Sequence, residues 1–279
     1  MSPAADGLEA EASRTSASSG AAAGGRRLFG ATADADSAGQ PWAGRSFQPN
    51  PAAADDGAAD PVLLAALTAF ASGADDPVAI VEAFRTARLL VPLVAHAGDV
   101  GHAPDGHLVD KTQELAIVTV AGPDGRRVLP AFSSVEAMRL WDPKARPVPA
   151  AGPRIALAAA SEGTELVVVD PASPHEHVLR RPAVRALATG ATWIPAAENP
   201  AVAAAFAESV AADPDAVAVA LEGADPAYRL RAEELLVRLT LRPGLDQAGL
   251  DAAVRRLGAA WAASAAIADG VDSLRLALR

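Results

Sequence analysis

The large apolar side chains of this chain are concentrated after residue 60, and this limits which part can fold. Ala, Gly, Ser and Pro fill 37 of the first 60 positions. The large apolar residues among those positions are Met1, Leu8, Leu28, Phe29, Trp42 and Phe47. These few side chains bury too little area to offset the entropy of ordering the segment. We therefore expect a disordered arm over residues 1–40, a linker over 41–60, and folded domains from residue 61 onward.

Trp42 and Phe47 are the two aromatic residues of the linker. Aromatic side chains bury a large apolar area when they pack. We expect residues 41–60 to dock onto the folded part through these two rings. A short recognition motif and a plain linker are the alternatives.

The composition excludes several classes of function. The chain has no cysteine, which excludes disulfides, iron–sulfur ligation and thiol or persulfide chemistry on this chain. A formal net charge of −10 disfavours nucleic-acid binding, which needs a basic surface. The sequence offers no apolar run of about 18 residues to span a bilayer. Residues 30–36, after Arg26-Arg27, are too acidic for an export signal, so we expect a cytoplasmic protein.

Capping residues and apolar runs outline a first domain over residues 61–196. Asp60-Pro61 and Asp76-Pro77 each place an N-cap aspartate before a proline that suits the first helical turn. Pro123-Asp124-Gly125 predicts a hairpin turn. The predicted strands are 89–94, 115–120, 126–129, 166–170 and 177–179, and the later helices are 133–141, 153–162 and 182–189. The pattern indicates a mixed or antiparallel sheet with packed helices.

Residues 197–279 predict a connecting helix and a smaller module. Asn199-Pro200 begins the helix, within a connecting segment over 197–212. The module, residues 213–279, contains strands over 217–221 and 234–241, one helix from Asp246 to about residue 268, and a final strand over 274–278. This β-β-α-β order indicates a small sheet with a helix across it. The fold class is therefore α+β.

A series of short motifs carries a family resemblance. The motifs are Leu90-Val91-Pro92, Pro123-Asp124-Gly125, residues 129–134, Trp141-Asp142-Pro143, Ala145-Arg146-Pro147, Val169-Asp170-Pro171, residues 190–195, and, upstream, residues 41–45 and 55–61. Over about residues 41–196 the chain resembles the SseB family, in its actinobacterial branch. Residues 213–279 are similar, more weakly, to the SseB C-terminal domain.

The resemblance implies no catalytic residues, because the family has no agreed ones. The family name refers to an enhanced serine-sensitivity phenotype, whose context suggests a link to sulfurtransferase chemistry. Without cysteine, this chain cannot carry a persulfide itself. The resemblance therefore implies a partner role in any such chemistry.

The histidines are the first candidates for a site. His96, His102 and His107 alternate with acidic residues up to Asp110, as a metal site could. The glycines and Pro104 between them indicate a solvated loop without fixed ligand geometry, so we expect no metal there. His175 and His177 lie on one side of an extended segment, but a pair lacks a third ligand. We expect Ser133 and Ser134 to be helix-capping residues rather than nucleophiles.

A second candidate is a binding surface around Trp141 and Arg146. An indole followed by Arg146 and Pro147 can form an aromatic–guanidinium platform, and Trp and Arg are enriched in binding hot spots. We include Phe132 and Trp193 in this surface. The alternative is that Trp141 packs in the core while Arg146 pairs with a carboxylate.

These patterns contain no phosphate loop, nucleophile–base pair or metal-ligand set. We therefore expect a non-catalytic, cytoplasmic protein-interaction or regulatory protein without cofactors. Its partner is a protein, with self-association through a sheet edge as one form, and we expect neither nucleic-acid nor membrane binding. The alternatives are a small-molecule sensor, with its ligand near Trp141 and Arg146 or between the domains, and a metal-dependent enzyme that uses the His96–Asp110 loop.

Overall fold

The computed structural model describes residues 55–74, 76–95, 100–102, 108–110 and 115–279. All of them belong to one compact unit, Ala52–Arg279. The predicted arm over residues 1–40 and the docking residues Trp42 and Phe47 lie outside the described residues.

The last six residues of the predicted linker contact the folded part through polar groups. Arg88 forms an ion pair with Asp55, with 2.8 Å between its Nη2 atom and Oδ1, and donates to the Ala58 carbonyl oxygen at 2.5 Å. The Val135 amide donates to the Gly57 carbonyl oxygen at 2.9 Å. Residues 55–60 are therefore held by hydrogen bonds, while docking through the two aromatic rings stays a prediction.

The described residues contain eight helices and twelve strands, which confirms the α+β class. The helices are α1 (Pro61–Ala71), α2 (Pro77–Thr86), α3 (Val135–Trp141), α4 (Gly152–Ser161), α5 (Arg181–Thr189), α6 (Pro200–Ala212), α7 (Gln247–Ala263) and α8 (Ala265–Gly270). The strands are β1 (Arg88–Ala95), β2 (Val100–His102), β3 (Leu108–Asp110), β4 (Leu115–Ile117), β5 (Val120–Ala121), β6 (Arg127–Ala131), β7 (Arg146–Ala151), β8 (Val167–Val169), β9 (His177–Leu179), β10 (Ala216–Gly223), β11 (Leu235–Leu241) and β12 (Leu274–Leu278).

In the described part of the chain, three sheets contain three or four strands each, and two of them combine parallel and antiparallel pairs. One has the order β4-β1-β7 and is antiparallel, and another has the order β5-β6-β8-β9, in which β6 and β8 are parallel. A bridge between Leu90 and Phe132 links these two sheets. The third has the order β10-β11-β12, with β11 and β12 parallel and joined through α7 and α8. Strands β2 and β3 form a separate hairpin.

The structure corrects the predicted strand over residues 115–120. That segment contains two strands, because β4 pairs with β1 whereas β5 pairs with β6. The chain thus leaves one sheet for the next around Val118 and Thr119, as strands do at the corner between two sheets. Of the predicted hairpin, only the part next to the Pro123-Asp124-Gly125 turn is present, where β5 pairs with β6.

The structure differs from the sequence predictions at three further places. Strand β7 was missed because Pro147 and Pro149 interrupt it, yet β7 is an edge strand, where the missing N–H groups are tolerated. The single helix predicted from Asp246 is two helices. Ser264 has an extended backbone, with φ −82° and ψ 116°, and its side chain accepts from the Ile267 amide to begin α8. The His96–Asp110 loop also contains the hairpin β2–β3, which the glycines did not indicate.

The apolar residues form two main cores. The first core is built by α1, α2, α4, α5 and the sheets around β1 and β6, and includes Phe84, Leu129 and Trp193. The second core lies between α6, α7 and the β10-β11-β12 sheet, and includes Phe206 and Trp261. Helix α6 therefore packs with the second core, while the domain boundaries given above stay predictions.

Candidate ligand-binding site

The predicted surface around Trp141 is divided in the structure. Trp141 is half-buried at the end of α3, and its ring lies 5.3 Å from the Phe132 ring, tilted by 42°. Phe132 is fully buried, so it packs and offers no surface. Arg146 and Pro147 are exposed on β7, and no ring contact joins Arg146 to Trp141 in the part of the chain that the structure describes. A binding role for this surface stays a prediction.

Trp193, the remaining candidate, lies in a different aromatic cluster. It is buried, and its ring stands edge-on to Tyr228 with 6.4 Å between centroids. Tyr228 stacks on His177, with ring centroids 5.0 Å apart and an angle of 14° between the planes. Phe70 contacts both of these rings edge-on, at 4.9 Å from His177 and 5.8 Å from Tyr228. The four rings connect α1, β9 and the loop between β10 and β11.

His177 carries a buried nitrogen without a partner. Only 1% of its surface is exposed, and its Nδ1 atom has no hydrogen-bond partner among the described residues. Burial, together with the nearby charge of Arg229, lowers the pKa of His177 to about 3. The imidazole is therefore neutral near pH 7. Its Nδ1 atom can either donate or accept one hydrogen bond, depending on the tautomer.

His177 lies at the base of a cleft with a volume of about 620 Å³. One wall is the end of α1 and the turn after it, and the other walls are the segment before β9 and the β10–β11 loop. The lining residues are Leu67, Phe70, Ala71, Gly73, Ala74, Pro174, His175, Glu176, His177, Pro226, Ala227, Arg229 and Arg231. The volume is in the range of small-molecule sites, which are mostly apolar with few polar groups.

The predicted histidine sites have different outcomes. His96 and His107 lie outside the described residues, and His102 and Asp110 lie on the paired strands β2 and β3. Within the described ranges, no group of three or more His, Asp or Glu side chains could hold a metal ion. His175 and His177 both line the cleft, but His175 is half-buried and its Nε2 atom lies 3.5 Å from the Thr68 hydroxyl.

The β10–β11 loop, residues 224–234, is folded around one carboxylate. Asp225 accepts from the amides of Arg229 and Leu230 through Oδ2, at 3.0 Å and 2.8 Å. The Val178 amide of β9 donates to the Tyr228 carbonyl oxygen at 2.7 Å. Tyr228 and Leu230 have left-handed backbones, with φ 50° and 54°. Such backbones are strained for non-glycine residues, so the hydrogen bonds to Asp225 hold the loop in shape.

Buried arginine–carboxylate contacts anchor this loop to both cores. Arg180, only 2% exposed, donates to Asp225 at 2.6 Å and to Asp272 at 3.1 Å. It also donates to the Ala232 carbonyl oxygen at 2.8 Å. Arg126 donates to both oxygens of Asp272 at 2.9 Å. Burial alone would raise the pKa of Asp272, but Arg126 and Arg180 outweigh it and hold that pKa below its usual range.

Glu234 is an acidic group of this region whose pKa lies near neutrality. Burial, with the charge of Asp272, raises the pKa of Glu234 to about 7. The hydrogen bond from the Asp272 amide to Glu234 Oε2 opposes that rise. Glu234 thus gains or loses a proton near pH 7, beside the loop that forms one wall of the cleft.

Ser133 has a different role from the predicted cap. Ser134 is the N-cap of α3 and accepts from the Ala137 amide at 3.1 Å, as expected. Ser133 is buried, and its amide and hydroxyl donate to the two oxygens of Asp170 at 2.7 Å and 2.6 Å. Burial raises the pKa of Asp170, although these two hydrogen bonds lower it. The pair ties the ends of the parallel strands β6 and β8 together.

Sequence reasoning missed most of the residues around the cleft. The segment Asp225-Pro226-Ala227-Tyr228-Arg229 contains the only tyrosine of the chain and a turn-forming Asp-Pro pair. That tyrosine was the one signal available, because the ring contacts of His177 join residues more than 50 positions apart. His177 was noticed only for its spacing from His175, and its burial could not be inferred.

The described residues define an α+β protein with two cores and a cleft bordered by elements of both. Residues 63–186 match the family model for the SseB protein N-terminal domain, which identifies this part of the chain as an SseB domain. Phe70 and His177 lie inside the matched range, whereas Tyr228 lies outside it. No curated protein and no solved structure matches the chain. The actinobacterial branch and the C-terminal SseB domain stay predictions.

The described residues contain no helix of sufficient length and apolarity to cross a membrane.

Proposed function

We propose that this protein is a non-catalytic regulatory protein of the SseB family that binds a small molecule in the cleft beside His177. The buried Nδ1 atom of His177, which has no partner in the described part of the chain, carries this proposal. Buried polar atoms are normally hydrogen-bonded. Because the Nδ1 atom itself is fully buried, a polar group of a ligand would supply the missing partner when the imidazole turns this nitrogen toward the cleft. Of the alternatives that the sequence left open, a ligand held between the domains is the one these contacts favour.

The position of the cleft supports a regulatory role. Phe70 and His177 belong to elements of the first core, whereas the β10–β11 loop connects two strands of the second core. A ligand that contacts both sides stabilises the arrangement in which they are close. Because Asp225 holds the loop and pairs with the buried Arg180, occupancy of the cleft would be transmitted to the contacts between the two cores.

A thermal-shift screen with a metabolite library tests the proposal. We expect at least one compound to raise the melting temperature of the wild-type protein and to leave that of His177→Phe unchanged. Phe preserves the aromatic packing on Tyr228 and lacks a hydrogen-bonding group. A matched control is His102→Phe, which makes the same substitution on β2, outside the cleft lining, and should keep the shift. A library that shifts neither protein, or shifts wild type and His177→Phe equally, would contradict the proposal.

A second function, self-association, is favoured by the free edge of β10. This strand ends the β10-β11-β12 sheet, and its residues 216–221, Ala-Val-Ala-Val-Ala-Leu, carry no charge. Natural edge strands usually carry charges, proline or bulges that prevent pairing with another chain. In β10 the register irregularity lies between Ala216 and Ala218, and Ala218–Leu221 beyond it form a regular, uncharged edge. We therefore propose a second copy of this chain as the occupant of the edge.

The oligomeric state of a charged edge variant tests this second function. Val217 is 56% exposed on β10 and Leu157 is 55% exposed on α4. We expect Val217→Lys to shift the wild-type protein from dimer to monomer in light scattering coupled to gel filtration, whereas Leu157→Lys should not. A wild-type protein that is monomeric at high concentration would contradict the proposal.

A further inference from the structure

We propose that the cleft beside His177 takes an organic anion, that is, a molecule with a flat apolar body and one carboxylate or phosphate group. This inference rests on the proposed function and names the chemical class of its ligand. Arg229 and Arg231 would bind the anionic group. Leu67 and Phe70 would contact the apolar body, and His177 would form a hydrogen bond with the ligand.

The first observation is the charge of the cleft. Arg229 and Arg231 both line it, and no ion pair is found for either within the described ranges. Arg229 donates only to the Pro174 carbonyl oxygen, at 3.1 Å, which leaves other guanidinium donors free. Deeper in the same region Arg180 and Arg126 are neutralised by Asp225 and Asp272. The two loop arginines are thus the cations that remain for a bound anion.

Among the described lining residues, two arginines stand against one carboxylate, Glu176. The Oε2 atom of Glu176 accepts from the Ala172 amide at 2.8 Å, but this group keeps its charge, so the formal excess is one positive charge. The end of α1 also points to the cleft and would repel an anion if its last carbonyls were free. The amides of Ser72, Gly73 and Ala74 donate to the carbonyl oxygens of residues 68–70, so these carbonyls are satisfied. The balance therefore favours an anion over a cation.

The second observation is the apolar surface opposite the charges. Leu67, Phe70 and Ala71 of α1 face Pro226 and Ala227 of the loop across the cleft. An inorganic anion alone would leave most of the 620 Å³ filled with water. A ligand with a flat apolar body would also gain binding free energy by burying its apolar surface, as ligands of small-molecule sites usually do.

The third observation is the hydrogen-bonding requirement of His177. Its Nδ1 atom has no partner among the described residues, and leaving a buried polar atom unpaired disfavours the empty site. A second polar atom on the ligand, such as a ring heteroatom or a carboxylate oxygen, would satisfy this nitrogen when the imidazole turns it toward the cleft. The site thus selects a molecule with an anionic end and a polar atom near its apolar body.

Calorimetric titration with a matched pair of probes tests the ligand class. The probes are 2-naphthoate and 2-naphthamide, which share shape and differ in charge. At low salt we expect 2-naphthoate to bind the full-length protein at least about ten-fold more tightly than 2-naphthamide, because charge-assisted hydrogen bonds exceed neutral ones. Arg231→Gln should remove most of this difference, and Arg231→Lys should retain part of it.

Arg139→Gln is the control, because Arg139 is exposed on α3 and the substitution removes the same charge. It should leave both affinities unchanged. Equal affinity for the two probes, no binding of 2-naphthoate at millimolar concentration, or an equal effect of Arg139→Gln and Arg231→Gln would overturn the ligand class. Failure of the ligand class would leave the proposed function standing if neutral compounds from the metabolite screen still depend on His177.

Discussion

At the scale of single residues, His177 is one of two described positions, with Trp193, where a buried side-chain nitrogen has no hydrogen-bond partner among the described residues. The His177 ring is buried and stacked as a core residue would be, but its Nδ1 atom has no partner among the described residues. Residues of this kind persist where a local loss of stability is offset by a function. The same residue therefore provides both a stability prediction and the binding prediction.

Replacing His177 by Phe should stabilise the ligand-free protein. The change removes an unpaired buried nitrogen, which costs about 1–3 kcal/mol, and keeps the contacts with Phe70 and Tyr228. We expect the free energy of unfolding in urea to rise by about 1 kcal/mol, while the ligand response is lost. His177→Leu, with less volume, controls for overpacking. A loss of stability in both variants would contradict an unpaired Nδ1 atom.

The adjacent serines Ser133 and Ser134 should differ in their contribution to stability. Ser133→Ala removes a donor from the buried Asp170 carboxylate and should lower the free energy of unfolding by about 2–3 kcal/mol. Ser134→Ala removes an N-cap and should cost about 1 kcal/mol. Urea denaturation of the two variants compares them directly. A larger cost for Ser134→Ala would reverse the assignment of the two roles.

At the scale of elements, the β10–β11 loop owes its shape to Asp225 and Arg180. Asp225→Asn removes one charge of a buried pair, while Asp272 still faces Arg180. We expect a loss of about 2–4 kcal/mol in the free energy of unfolding and weaker ligand binding. Asp269→Asn, which removes the exposed pair with Arg185, should cost less than about 1 kcal/mol. Similar losses in the two variants would mean that Asp225 does not hold the loop.

Elements with local signals were predictable from the sequence, and elements that depend on distant partners were not. The helices after Asp60 and Asp76 follow from their caps, which indeed accept from the first helical amides. Strand β7 and the division at Val118 depend on which strand lies alongside, and this is not encoded locally. The break at Ser264 was hidden because alanine on both sides favours helix.

The candidate site was less predictable than the fold. Trp193 was included as a binding residue, but its place beside Tyr228 comes from contacts between distant parts of the chain. Arg180 reads locally as a basic residue before a helix, and its burial depends on four distant acceptors, Asp225, Ala232, Asp272 and Ser273. Pairings of this kind cannot be inferred from one sequence.

At the scale of the whole molecule, His177 and Glu234 give the stability opposite dependences on pH. The folded state keeps His177 unprotonated down to about pH 3, whereas the unfolded state takes up a proton near pH 6.5. Stability from this group is therefore lost as the pH falls below 6.5. The folded state keeps Glu234 protonated up to about pH 7, whereas the unfolded state releases the proton near pH 4.5. Stability from this group is lost as the pH rises from 4.5 through 7.

Glu234→Gln should isolate the second of these dependences. Glutamine resembles the protonated carboxyl group and does not titrate. We expect the free energy of unfolding of the variant, relative to that of the wild-type protein, to rise by up to about 1.4 kcal/mol per pH unit between pH 4.5 and 7. Urea denaturation at a series of pH values measures this difference. Glu233→Gln, an exposed neighbour, serves as the control. A difference between wild type and Glu234→Gln that does not change with pH would contradict the raised pKa of Glu234.

The most direct test of a ligand site beside His177 is the nitrogen NMR signal of that imidazole during titration with a fragment library. We predict that the His177 ring resonances stay in the neutral form from pH 7 to 5, and that a bound fragment shifts Nδ1 by forming its hydrogen bond. A His177 signal that becomes protonated between pH 7 and 5, or that no fragment shifts, would contradict a buried, ligand-seeking imidazole at the base of the cleft.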